Sequence, residues 1–149
     1  MRREVHLIFG VGTALLTGSV FEWYYAPLLV ISGFAGSFVP DLDLRIRHRA
    51  LLHNVFFLVA SSLLIAVISA LLGADFRYTR IFLIGYISGF VSHILGDLIT
   101  YRGVDLFYPF SNKSFKIPLG RSDSLLVNSI GILLGAVFII LYVYLQISR

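Results

Sequence analysis

The chain has no cysteine and few charged residues. Of its 149 residues, only 13% are Asp, Glu, Lys or Arg, whereas 58% are hydrophobic. The lack of cysteine excludes disulfide bonds, thiolate metal sites and cysteine nucleophiles. Soluble domains carry about 25% charged residues, so this composition argues against a soluble protein.

Several common catalytic motifs are also missing. There is no HExxH pair for a zinc-dependent intramembrane protease, no GxSxG nucleophile elbow and no glycine-rich phosphate loop. The sequence has neither an internal repeat nor the paired interrupted helices that many transporters contain. The histidines and aspartates therefore remain the main candidates for catalytic or metal-binding residues.

The hydrophobic residues form long runs with the charges between them. A membrane-spanning helix needs about 17–25 mostly apolar residues, and the second run is short for a full span. The sequence therefore predicts an all-α, polytopic membrane helical bundle with four to five transmembrane helices, in one domain over residues 1–149. The predicted runs are residues 5–21, 26–39, 50–72, 81–100 and 125–147.

The lysines and arginines predict the orientation. If each run crosses once, most cations lie on the side of the N-terminus, and Lys and Arg are enriched in cytoplasmic loops. We therefore expect an inner or plasma membrane protein with a cytoplasmic N-terminus and its C-terminus outside. The cytoplasmic set is Arg2, Arg3, Arg45, Arg47, Arg49, Arg102, Lys113, Lys116 and Arg121, and the outer set is Arg77, Arg80 and Arg149.

The same orientation brings every histidine and three aspartates to the cytoplasmic face. His93 and Asp97 are spaced i, i+4 within an apolar run, so their side chains share one helix face. Ionisable residues inside a membrane segment are costly and indicate a functional site. The full set is His6, His48, His53, His93, Asp41, Asp43 and Asp97.

Imidazole and carboxylate groups together are ligands for divalent metals. They suit Zn²⁺ first, then Mn²⁺ or Fe²⁺, and Mg²⁺ where oxygen ligands dominate. Seven candidates exceed one tetrahedral site, so one ion with hydrogen-bonded partners and a two-ion centre both fit. A simpler alternative is that Asp41 and Asp43 cap helices while His93 and Asp97 form a pair that holds helices together.

Two basic segments flank these residues. Arg47, His48 and Arg49 follow the acidic pair and either anchor the chain in headgroups or bind the phosphate of a substrate. Residues 101–124 mix aromatic and basic side chains, which suits an interfacial loop, a lid, or a docking surface for a cytoplasmic protein partner. Ser122 and Asp123 are candidate caps of the last helix. Since the cations flank apolar runs, we expect membrane lipids as partners and no nucleic acid.

The order of motifs resembles a known family of inner-membrane metal-dependent hydrolases, also described as LexA-binding and inner-membrane-associated. The resemblance covers residues 6–110 and includes Gly36-Ser37-x-x-Pro40-Asp41-x-Asp43, His48-Arg49-x-x-x-His53 and Ser92-His93-x-x-x-Asp97. It implies a multi-helix membrane fold and a metal site formed by His6, Asp41, Asp43, His53, His93 and Asp97. The family's second histidine usually lies between Thr and Ser, so we expect Asn54 to replace that serine as a polar partner.

The leading hypothesis is a metal-dependent hydrolase at the cytoplasmic membrane face, acting on a lipid or a lipid-linked phosphate or ester. Asp43 is the candidate general base, and Arg49, with Arg47, would hold the anionic group. One alternative is a membrane scaffold or sensor with a structural metal. Another is an ion or proton transporter, although the candidate residues gather at one face instead of spanning the bilayer.

Overall fold

The computed structural model describes residues 1–43 and 51–149, and for Asp43 it describes the backbone alone. Within these residues the chain is helical, without a strand, so the predicted all-α membrane bundle is confirmed. The helices are α1 (Arg3–Thr17), α2 (Ala26–Phe38), α3 (Val55–Leu71), α4 (Phe76–Leu98) and α5 (Leu125–Ile147).

Three of the described helical segments are long and apolar enough to cross a membrane. They are α4, α5 and the segment Trp23–Leu42, in which 3-10 turns extend the 13-residue α2 at both ends. The apolar α3 is shorter, with 17 residues. The second run therefore reaches a membrane-spanning length only because the 3-10 turns lengthen it.

Two helices begin five residues from their predicted starts: α3 begins at Val55 and not at residue 50, and the other is α4. The sequence predicts its start at residue 81, but the helix begins at Phe76, because the side chain of Asp75 accepts a hydrogen bond from the backbone N–H of Arg77 at 2.7 Å. A side-chain cap of this kind satisfies one of the free N–H groups of the first turn. The side chain of Arg77 also donates to the hydroxyl of Tyr25 at 3.3 Å. Arg77 and Arg80 therefore lie in the first turns of α4 and not in the connection before it.

Helices α2 and α4 pack against each other at the centre, α1 packs against both of them and against α5, and α3 packs mainly against α4. Gly36 of α2 lies directly against the backbone of α4, where a Cβ atom would collide with the carbonyl oxygen of Tyr86 and come within 2.9 Å of the backbone nitrogen of Phe90. Small residues at such crossings allow two helix backbones to approach closely.

Replacing Gly36 with alanine is expected to destabilise the bundle by about 1–3 kcal/mol, because backbone atoms cannot move aside as a flexible side chain can. Thermal unfolding in detergent, followed by circular dichroism, measures this loss. Val91→Leu, which enlarges an exposed side chain of α4, is the matched control and should change the midpoint little. Equal midpoints for Gly36→Ala and wild type would contradict this packing.

Residues 100–120 fold back onto the end of α4. The backbone N–H groups of Ile117 and Leu119 donate to the carbonyl oxygens of Leu98 and Ile99 at 2.6 and 3.1 Å. These contacts satisfy carbonyl groups that have no partner within a helix end. Within the segment, the backbones of Val104 and Phe115 form two hydrogen bonds with each other, each of 2.9 Å. The end of α4 is thereby held in place beside the candidate site.

Candidate metal centre

Four separate parts of the chain meet at one end of the bundle. His6 lies in the second turn of α1, Asp41 in the 3-10 turn after α2, and His53 just before α3. His93 and Asp97 lie in the last turns of α4. Because the polar residues gather at helix ends, each can reach the common centre without a break in the helices.

The centre is buried. His6, His53, His93 and Asp97 are between 0% and 2% exposed, whereas the side chain of Asp41 is 15% exposed. Burying a polar or charged group is costly unless it is paired. The cluster therefore needs internal partners, and Asp41 marks the side on which it comes closest to the surface.

The ring of His93 is oriented by the backbone of α2. Its Nδ1 atom lies 2.7 Å from the carbonyl oxygen of Ser37, and since a carbonyl can only accept, Nδ1 carries the hydrogen. In the neutral imidazole, Nε2 then presents its lone pair. That atom lies 3.2 Å from Nε2 of His53, so two ring nitrogens converge on one position.

Asp97 contacts the histidines with both carboxylate oxygens. Oδ2 lies 3.6 Å from Nε2 of His53 and 3.8 Å from Nε2 of His93. Oδ1 lies 3.3 Å from Nε2 of His6 and accepts a hydrogen bond from the amino group of Met1 at 3.1 Å. Asp97 therefore contacts all three histidines of the cluster.

The spacing of these atoms matches a metal site. At the usual zinc–nitrogen distance, two ligands of a tetrahedral ion lie about 3.3 Å apart. The separations of 3.2, 3.6 and 3.8 Å above, with 3.6 Å between Asp41 Oδ1 and His93 Nε2, are close to that value. Two overlapping triads, His6–His93–Asp97 and Asp41–His53–His93, each keep their ligand atoms within 4.8 Å. This buried group could hold a metal ion.

His6 joins the cluster in a different way. Its ring stacks on that of His93, with the centroids 3.9 Å apart and the planes inclined by 14°. Its Nδ1 is buried and has no hydrogen-bond partner among the described residues. A buried ring nitrogen without a partner is costly, and an ion or a water molecule would remove that cost.

The structure thus brings together five of the six residues that the resemblance implied as ligands. The side chain of the sixth, Asp43, lies outside the described residues, although its backbone ends the 3-10 turn Val39–Asp43. The predicted substrate-binding residues Arg47, His48 and Arg49 also lie outside the described residues. Their roles remain predictions.

Two contacts were not foreseen from the sequence. Ser37 was part of the motif but had no role assigned, and its carbonyl oxygen orients His93. The available signal was Pro40, because a helix that ends before a proline leaves its last carbonyl groups open to other donors. The contact between the amino group of Met1 and Asp97 joins residues that are 96 positions apart in the sequence, so no local pattern indicates it.

Asn54 has a structural role in addition to the predicted one, which stays a prediction. Its side chain caps α3, accepting from the N–H of Phe57 at 2.8 Å and donating to the carbonyl oxygen of Leu51 at 2.7 Å. Asn54 therefore fixes the backbone next to His53. The predicted capping residues of α5, Ser122 and Asp123, were wrong, because the side chain of Ser124 caps that helix.

Asn54→Ala is expected to cost about 1 kcal/mol of stability through the lost cap and to lower metal affinity through displacement of His53. Asn54→Ser, which retains a capping oxygen, should recover most of both losses. Thermal unfolding and metal titration of the two variants measure these effects. If alanine and serine behaved alike, the cap would have no part in positioning His53.

The fold and the cluster define a class: a helical membrane protein with a buried histidine–aspartate group that could hold a metal ion. The chain belongs to the YdjM inner membrane protein family, whose model matches residues 1–149. The family membership suspected from the sequence motifs is thereby confirmed. No curated protein and no solved structure matches the chain.

Proposed function

We propose that this protein is a metal-dependent hydrolase that acts at the membrane surface on a lipid or a lipid-linked phosphate or ester. The observation that carries the proposal is the convergence of Nε2 of His53 and Nε2 of His93 at 3.2 Å, with Nδ1 of His93 already held by the carbonyl oxygen of Ser37. Each ring nitrogen of a neutral histidine can offer a lone pair, and a cation between these two atoms would be bound by both. Zn²⁺ suits the mixed nitrogen and oxygen donors best, with Mn²⁺, Fe²⁺ or Mg²⁺ as alternatives.

The residues divide into two groups by position. Asp41, His53, His93 and Oδ2 of Asp97 would hold the principal ion, and His6 with Oδ1 of Asp97 would hold a second one or orient the first set. A divalent ion here would polarise a phosphoryl or acyl oxygen and bring the pKa of a water molecule close to 7. Catalytic sites keep one position open, and the partly exposed Asp41 marks that side. Asp43 follows two residues later and remains the proposed general base.

The substrate class follows from the depth of the site. The cluster lies where α2 and α4 end, which is the level of lipid headgroups for helices that cross the bilayer. The proposed clamp of Arg47, His48 and Arg49 comes directly after the acidic turn in sequence. An anionic headgroup held there would present its phosphate or ester bond to the cluster.

Hydrolysis can be tested on protein purified in a neutral detergent and loaded with Zn²⁺ or Mn²⁺. The panel contains phosphatidic acid, a polyprenyl phosphate and a short-chain lipid ester, with release of phosphate or fatty acid as the readout. We expect turnover of at least one of them, lost in Asp41→Asn and kept in Asp75→Asn, which alters a carboxylate at the opposite end of α4. Turnover that is equal in both variants would reject the assignment.

A structural metal is the second candidate, and the near-complete burial of four of the five clustered residues favours it. Structural sites are closed and stabilise the fold directly. In that case the ion joins α1, α2, α4 and the start of α3, and the protein serves as a scaffold or sensor for a cytoplasmic partner. Unfolding on chelation together with no turnover across the panel would select this candidate.

The proposed orientation, with the site and the N-terminus cytoplasmic, is supported by the excess of lysine and arginine on that side. The lack of cysteine makes labelling direct. In sealed cells, Ala74→Cys should react with a membrane-impermeant maleimide, whereas Lys113→Cys, beyond the other end of α4, should react only after lysis. The opposite pattern would invert the topology.

A further inference from the structure

A polar cleft of about 450 Å³ lies between the end of α4 and the start of α5. The proposed hydrolysis assigns no role to the residues around it. Both of its walls carry an arginine. The lining residues are Thr100, Tyr101, Arg102, Arg121, Ser122 and Asp123.

The two arginines differ in their partners. Arg121 makes a two-point ion pair with Asp123, with nitrogen–oxygen distances of 3.1 and 3.3 Å. Within the described part of the chain, Arg102 pairs with no carboxylate. The cleft therefore holds two guanidinium groups and one carboxylate, which leaves an excess of positive charge.

The carboxylate is also easily displaced. The side chains of Arg121 and Asp123 are 76% and 63% exposed, and ion pairs at such exposure contribute little to stability. The hydrogen bond from Arg121 lowers the pKa of Asp123, and the nearby charge of Arg2 contributes in the same direction. A stronger anion can therefore replace Asp123 at Arg121.

We propose that this cleft binds a phosphate group. The planar fork of a guanidinium matches two phosphate oxygens at once, and the hydroxyl groups of Tyr101 and Ser122 are further donors around the same space. The N-terminal end of α5, three residues after Ser122, adds partial positive charge. The phosphate is that of a phospholipid headgroup or free inorganic phosphate, since both present the same chemistry to the arginines.

Hydrogen bonds connect the cleft to segments that carry the histidine–aspartate cluster. The hydroxyl of Thr100, in its wall, donates to the backbone carbonyl of Asp97 at 2.8 Å. The amide of Asn128 donates to the carbonyl oxygen of Ser122 at 3.1 Å and accepts from the backbone N–H of Arg2 at 2.9 Å. The lining of the cleft therefore begins with a residue that is hydrogen-bonded to the backbone of Asp97. The use of a bound phosphate as a substrate anchor rests on the proposed function, but its binding does not.

Binding is tested in the presence of a chelator, so that the result is independent of metal and of turnover. Inorganic phosphate is titrated into the full-length protein in neutral detergent and followed by ³¹P NMR line broadening. Lipid is tested in nanodiscs of phosphatidylglycerol and phosphatidylcholine, with native mass spectrometry of the lipids retained. In whichever arm shows binding, Arg102→Gln/Arg121→Gln should weaken it at least about tenfold, and Asp123→Asn should strengthen it.

Matched controls separate a defined site from surface charge. Lys113→Gln/Lys116→Gln removes two charges from the same segment, and Asp105→Asn removes one acid, without altering the lining of the cleft. These variants should leave affinity within about twofold of wild type. Equal losses in the arginine and lysine pairs would overturn the proposal, as would a lack of binding in both arms. Absent hydrolysis with intact binding would reject only the proposed function.

Discussion

Asp97→Ala protein is expected to lose its metal. Asp97 contacts His6, His53 and His93 together, so its removal takes two oxygen donors from the centre at once. Loss of a partner outside the ligand set already lowers metal affinity by about 10–100-fold, and loss of a ligand should exceed that. Elemental analysis after dialysis should show a full ion in wild type and a trace in the variant.

Asp97→Ala also breaks the buried ion pair with the amino group of Met1. Breaking a buried pair costs about 3–5 kcal/mol, and the amino group of Met1 loses its hydrogen bond as well. His93→Gln, which keeps similar volume, is therefore a second variant in case Asp97→Ala fails to fold. Asp105→Ala is the control, with the same change of charge away from the centre. A folded Asp97→Ala or His93→Gln protein with its full metal content would rule out the assigned site.

Chelation should lower the melting temperature of the wild-type protein by about 10 °C. An ion present at 1,000 times its dissociation constant stabilises the folded state by about 4 kcal/mol, and each kcal/mol corresponds to about 2–4 °C in a chain of this size. The effect should be large because the proposed ion would join four separately positioned segments. Differential scanning fluorimetry with and without chelator, in the same detergent, measures it.

His93→Gln provides the reference for that experiment. It lacks the nitrogen on which both ligand triads depend, so its melting temperature should be lower than that of the wild type and should not change on chelation. Metal added back should restore the wild type alone. A similar shift in both proteins would assign the effect of chelation to some other site.

The fold was largely predictable because membrane helices leave a strong compositional signal. The last helix, residues 125–147, was predicted with the observed bounds, since a long apolar run with polar neighbours has a single interpretation. The start of α4 was missed by five residues. Charge density alone placed Arg77 and Arg80 in a connection, whereas the Asp75 cap and the contact with Tyr25 include them in the helix.

The candidate site was predictable to the level of its residue types and of their gathering at one end of the helices. Counting cations placed His6, His53, His93, Asp41 and Asp97 together, and the structure brings them within contact distance. The orientation of His93 was not predictable, because it depends on a backbone carbonyl, which has no sequence signature. The cap that Asn54 forms on α3 was missed for a related reason: a polar residue beside a histidine can contact that histidine or the helix, and a sequence pattern does not distinguish the two.

The peripheral helix α3 gives the site an unusual support. None of the residues of α3 is buried within the protein, and the helix packs mainly against α4. His53, one of the proposed ligands, lies two residues before α3. Its position therefore depends on the helix that packs least against the rest of the protein. Acyl chains must complete the packing of α3, which makes the bilayer part of the scaffold. The thickness and order of the bilayer should therefore affect the position of His53 more than the positions of His6, His93 and Asp97.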